Sequence, residues 1–97
     1  MASYIALLQF TEQGVRNIKD TTKRAAATSE MASKLGVKVV DIFWTLGSYD
    51  IVMALEAPDD ETLTAFTLKL SSLGNVKTQT LRAFRAKEMD AVLNRVK

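Results

Sequence analysis

Apolar residues crowd the stretch from Tyr4 to Phe10, where Gln9 is the only strongly polar interruption, and a short run of that kind predicts a β-strand buried on both faces. Thr11-Glu12-Gln13 then opens a helical turn over Gly14 to Lys19, and Asp20-Thr21-Thr22 offers a fresh N-cap for a longer helix ending near Leu35. In that second piece Ala25, Ala26, Ser29, Ala32 and Leu35 gather near one face, small enough to let a helix approach a sheet, and Gly36 is placed as its stop. Val37 to Leu46 is β-branched and aromatic; Gly47-Ser48 suits a two-residue type II′ turn leading into a second strand from Tyr49 to Glu56. Pro58 ends that strand. Asp59 caps a helix whose first turn carries Asp60 and Glu61, and Leu63, Phe66, Leu70 and Leu73 repeat along it at three- and four-residue intervals. After Gly74-Asn75, Val76 to Arg85 has strand character, and Met89, Val92, Leu93 and Val96 mark a short amphipathic terminal helix.

The order is β-α-β-β-α-β with a C-terminal helix. It predicts an α+β fold of the ferredoxin-like kind, an antiparallel sheet with both long helices on one face. The expected strand order is fourth, first, third, second. With 97 residues and no low-complexity segment or flexible linker, residues 1–97 are read as a single domain.

A two-residue turn places Leu46 opposite Tyr49, Thr45 opposite Asp50, Trp44 opposite Ile51 and Phe43 opposite Val52. Side chains alternate between faces, so the hairpin separates into two sets. Val40, Ile42, Trp44, Leu46, Tyr49, Ile51, Met53 and Leu55 belong under the helices. Val39, Asp41, Phe43, Thr45, Asp50, Val52, Ala54 and Glu56 fall on the uncovered face, joined by Ile5 and Leu7. A sheet face left in water shows a cleaner polar alternation than this one. The expectation is a homodimer in which two sheets pack face to face as a dimeric α/β barrel, with edge pairing extending dimers to higher multiples.

Composition narrows the chemistry. The chain has no Cys and no His, which removes nitrogen–sulfur zinc sites, His-ligated haem, thiolate nucleophiles and His-dependent triads. No Asp-rich loop has calcium-binding spacing, so no metal and no cofactor are expected. The net charge of +2 is spread along the chain without a basic face, which argues against nucleic acid. No apolar run approaches the roughly 20 residues that span a bilayer. With Met1-Ala2-Ser3 leading straight into a strand, the cytoplasm is the default location and no membrane partner is expected.

Candidate ligand-binding residues gather at the turn end of the hairpin. Asp50 opposes Thr45, the end of the first strand brings Gln9 near, and the start of the fourth adds Thr78, at the mouth of the barrel. The plainer role for Asp50 is to accept hydrogen bonds within the hairpin and lock it. Tyr49 falls on the helix side or its rim, where packing is the plainer role. Arg82, with Thr80 and Phe84, alternates onto the uncovered face, where Glu56 or Asp41 would pair with it or an anionic ligand would bind.

Gly47-Ser48-Tyr49-Asp50, preceded by Trp44-Thr45-Leu46 and followed by Ile51-Val52, closely resembles the motif that names the GYD domain family of small bacterial and archaeal proteins. Further matching pieces are Thr11-Glu12-Gln13-Gly14, Glu56-Ala57-Pro58-Asp59-Asp60-Glu61, Leu73-Gly74-Asn75-Val76 and Thr80-Leu81-Arg82-Ala83-Phe84. The resemblance implies the same dimeric α/β barrel and leaves activity open. The leading functional expectation is an oligomeric domain that binds a small ligand. The alternatives are a cofactor-free isomerase- or monooxygenase-like enzyme using Asp50 as base, and a purely structural assembly unit.

Overall fold

The computed structural model describes residues 1–96. Strand β1 (Ala2–Phe10) is followed by α1 (Glu12–Arg16), a 3-10 turn (Ile18–Asp20) and α2 (Thr21–Lys34). Then come β2 (Lys38–Trp44), β3 (Ile51–Ala57), α3 (Asp60–Ser72), β4 (Val76–Ala83) and α4 (Ala86–Leu93). The strands form one antiparallel sheet in the order β2-β3-β1-β4, the order the sequence pattern predicts.

One face of the sheet makes the core. Tyr4, Ala6 and Leu8 of β1 and Ile51, Met53, Leu55 and Ala57 of β3 alternate onto it and are buried. Helix α3 lays Leu63, Phe66 and Leu70 against them; Leu73, the next position of the same stripe, falls at the helix C-cap and is exposed. Asp59 caps α3 by accepting the Thr62 N–H at 2.8 Å. Helix α2 buries Ala32 fully and turns Ala25, Thr28 and Met31 partly inward, while Ala26 faces out.

The break between α1 and α2 is a tertiary knot. Thr11 caps α1 by accepting the Gly14 N–H at 3.1 Å, and its own hydroxyl donates to the Gly74 carbonyl at 2.5 Å. The Thr11 N–H donates to the Asn75 carbonyl at 3.0 Å. Gly14 sits so close to that turn that a Cβ there would lie 2.1 Å from the Asn75 oxygen. Glycine is required here by contact.

Three local features differ from the sequence expectation. The hairpin turn is wider than two residues: the last paired positions are Trp44 and Ile51, one more bond runs from the Thr45 N–H to the Asp50 carbonyl, and residues 46–49 form the loop. Gly47 has φ +109°, so the positive-φ requirement survives although the tight turn does not. Second, a bulge between Val39 and Asp41 pairs Val39 with Leu55 and Asp41 with Ala54. The extra residue is Val40, which is exposed, and Val39 joins the core side in its place. Third, β4 has the opposite parity. Leu8 pairs with Thr78, Ala6 with Thr80 and Tyr4 with Arg82, so these three lie on the helix side, and Lys77, Gln79 and Leu81 occupy the uncovered face.

That uncovered face therefore carries Ile5, Leu7, Phe43, Val52 and Leu81. Phe43 is 57% exposed and Leu81 44%. Helix α4 projects from the sheet end with Met89, Val92 and Leu93 exposed. No helix among the described residues is long and apolar enough to cross a membrane.

Candidate functional site

The corner beside the Gly47 loop does assemble, and backbone groups occupy most of it. Asp50 extends the β1–β3 seam: its N–H donates to the Leu8 carbonyl and its Oδ2 accepts the Phe10 N–H, each at 2.8 Å. The carboxylate thus stands in for the next carbonyl of the ladder. Gln9 Nε2 donates to the Ser48 carbonyl at 2.8 Å and Thr45 Oγ1 to the Tyr49 carbonyl at 2.6 Å, so both hold the loop. Tyr49 departs from its expected side. Freed from the tight turn, its hydroxyl donates to Gln79 Oε1 at 2.8 Å, and Gln79 belongs to the uncovered face. Gln9, Thr45, Tyr49 and Asp50 therefore share one corner.

Thr78 and Arg82 do not join them. Thr78 lies under α3, its hydroxyl 3.4 Å from that of Ser71. Arg82 stands at the far end of the helix side, its guanidinium 5.5 Å from the Tyr4 ring centroid and 4.6 Å from that of Phe84. It donates to the Ser3 carbonyl at 3.1 Å and to the Ala83 carbonyl, and its ion-pair partner is Glu88 at 3.9 Å, in place of Glu56 or Asp41. Glu88 also accepts the Arg85 N–H at 3.0 Å, which ties the first turn of α4 back to its N-cap. Beside them the Tyr4 hydroxyl donates to Asp60 Oδ1 at 2.5 Å. That bond first, then burial and the negative charge of Asp60, push the Tyr4 hydroxyl up to about 12, against a smaller opposing pull from Arg82. The cluster ties β1, α3, β4 and α4 together at one end of the sheet.

A well-formed apolar concavity lies elsewhere, in a position that sequence reading passes over. Between α2, α3 and the core face of the sheet is a slot of about 380 Å³, within the size range of small-molecule sites. Buried Leu8, Ile51, Met53 and Leu70 lie beneath it, partly exposed Phe10, Ile42 and Met31 face it, and Ala25 and Thr28 line it from α2. Small side chains on α2 leave the space: a helix lined with Ala and Thr does not fill the gap that Leu or Phe would close. Arg24 is the one charged side chain among the described residues that line it, with Nη2 3.4 Å from the Gly14 carbonyl and Nη1 donating to the Asn17 carbonyl. Thr21 lines the slot as well and accepts the Trp44 indole N–H at 3.0 Å. The signal was present in the run Arg24-Ala25-Ala26-Ala27-Thr28, where small residues read equally well as close packing. Among the described residues no cluster of acidic side chains is placed to hold a metal ion.

Residues 4–93 match the GYD domain family. The chain is 34% identical over 94 residues to a protein of Thermus thermophilus named "Glutamine synthetase and cystathionine beta-lyase binding protein", covering 96% of this chain and 99% of that one. It is also similar to a crystal structure of a Thermus thermophilus protein, with a TM-score of 0.59 and 27% identity, covering 89% of this chain and 96% of the other. With the family matched over nearly its whole length, and Gly47, Tyr49 and Asp50 placed as the loop and seam residues of an antiparallel α+β sheet, the chain belongs to the GYD domain family.

Proposed function

We propose that this protein is a self-associating binding domain, joined to a second copy through the uncovered sheet face and engaging an enzyme as its partner. The observation that carries the reading is the patch of Ile5, Leu7, Phe43, Val52 and Leu81 on one side of a four-stranded sheet. Each large side chain buried there contributes about 1.5–3 kcal/mol, a substantial share of a domain stability of about 5–15 kcal/mol. Two such sheets face to face make the dimeric α/β barrel, and further dimers associate in multiples of it. The enzyme partner is proposed by analogy with the Thermus relative named for binding glutamine synthetase and cystathionine beta-lyase.

Native mass spectrometry across a concentration series tests the self-association. A dimer or a multiple of dimers is expected, and a folded monomer at all concentrations overturns it. Light scattering of the purified chain mixed with purified glutamine synthetase and, separately, cystathionine beta-lyase tests the partner; absence of a complex with both removes the analogy.

The slot favours a second, compatible reading, that of a small-ligand-binding domain. Self-association would occupy the face opposite the slot, so one does not block the other. The binding residues in this reading are those of the slot, because Asp50, Gln9 and Thr45 already serve backbone partners. A small molecule retained on the oligomer in the same mass spectra supports it; a bare oligomer after incubation with a metabolite extract counts against it.

A further inference from the structure

The void beneath α2 has a chemical polarity of its own. Its floor is apolar, with Leu8, Ile51, Met53 and Leu70 offering no hydrogen-bond partner to a hydroxylated ligand, so a sugar or nucleoside would leave polar groups stranded there. Its polar groups are few: Arg24, Thr21, Thr28 and Asn75. Arg24 has no carboxylate partner among the described ion pairs, and the carbonyls of Asn17 and Gly14 orient its guanidinium without neutralising it. A guanidinium has five N–H donors, so the fork retains donors for an anion.

We propose that the slot binds a small amphipathic carboxylate, its apolar chain against the partly exposed Phe10, Met31 and Ile42 and its head group at Arg24. The inference deepens the small-ligand reading above and rests on it. An apolar body in an apolar cavity supplies the affinity, and the single cation selects the charge of the head. No acidic side chain among the described residues lines the slot, so an ammonium head would meet Arg24 unfavourably and a neutral head would gain only an ordinary hydrogen bond.

The chain carries its own reporter. Trp44 is the only tryptophan, and it is hydrogen-bonded to Thr21 on the lining of the slot. Decanoate, decanol and decylamine, each below its micelle threshold, are titrated into the full chain while Trp44 emission is followed. Decanoate is expected to saturate the signal at one per chain, with decanol and decylamine at least about ten-fold weaker, as befits loss of a charge-assisted contact. Arg24→Gln is expected to bring decanoate down to the decanol level, and Thr28→Leu, which fills the slot, to abolish binding with the circular dichroism spectrum unchanged. Should either variant fail to fold, methyl resonances of Met31 and Met53 in the unmodified protein decide: movement of these with decanoate supports the site, and movement confined to Ile5 and Leu81 on the uncovered face overturns it. Equal affinity for decanol, or undiminished affinity in Arg24→Gln, also overturns it. If decanoate does not bind while native mass spectra show another retained molecule, the carboxylate assignment fails and the small-ligand reading stands; if neither binds, both fail.

Discussion

At the scale of single residues, Asp50 and Tyr4 each tie distant strands and helices through one polar contact. Asp50 is half-buried and its carboxylate accepts the Phe10 N–H where the β1–β3 ladder would otherwise stop. Asp50→Ala leaves that donor without its charged acceptor, and a loss of about 1.5–3 kcal/mol is expected in urea unfolding, with Asp50→Asn losing less. Tyr4 predicts a pH dependence. Its hydroxyl is pushed from 10.0 to about 12 in the folded protein, so the folded chain keeps a proton that the unfolded chain releases. Its contribution is full below pH 10 and is lost as pH rises toward 12. In denaturant melts, the stability difference between the parent and Tyr4→Phe is expected to be constant up to pH 10 and to shrink above it. The chain's pattern identifies Asp50 as a turn-side carboxylate. It does not say that the acceptor serves β1, because a hydrogen bond between positions forty apart depends on which strand lies alongside.

At the scale of elements, helix and strand identities follow from periodicity, and the errors are errors of parity. Strand β4 has two strong apolar signals, Val76 and Leu81, on opposite faces, so alternation alone does not say which is core. Packing of Val76 beside Phe10 settles it and carries Thr78 and Arg82 to the helix side. In β2 the bulge at Val40 moves Val39 across the sheet, and a run of valines contains no mark of where an extra residue is inserted. The α1 knot is more legible in consequence than in cause. Gly14→Ala would set a Cβ 2.1 Å from the Asn75 oxygen, and the backbone shift needed is expected to cost about 1–3 kcal/mol, measured by thermal unfolding. In α3, Phe66 is fully buried, and Phe66→Ala is expected to cost about 3–5 kcal/mol, enough to leave a marginal domain partly unfolded at room temperature by circular dichroism.

At the scale of the whole molecule, assembly is the main prediction. Phe43→Glu or Leu81→Glu places a charge on the patch at small cost to the isolated chain, since both side chains are largely exposed there. Either change is expected to shift sedimentation toward monomer, while Leu68→Glu, at an exposed position of α3 away from the uncovered face, leaves the oligomer intact. The sequence by itself determines the element order, the cap at Asp59, the α3 stripe and the two-faced apolar pattern of the hairpin, because these depend on local propensity and on the period of burial, and the element order in turn selects a fold whose strand order is the one observed. Tertiary structure alone decides the width of the Gly47 loop, the face of Tyr49, Thr78 and Arg82, and the slot beneath α2. Each of those is a relation between elements. A bulge or a one-residue slip reverses a face without altering composition, and a cavity is defined by the distance at which small side chains hold two packed layers apart.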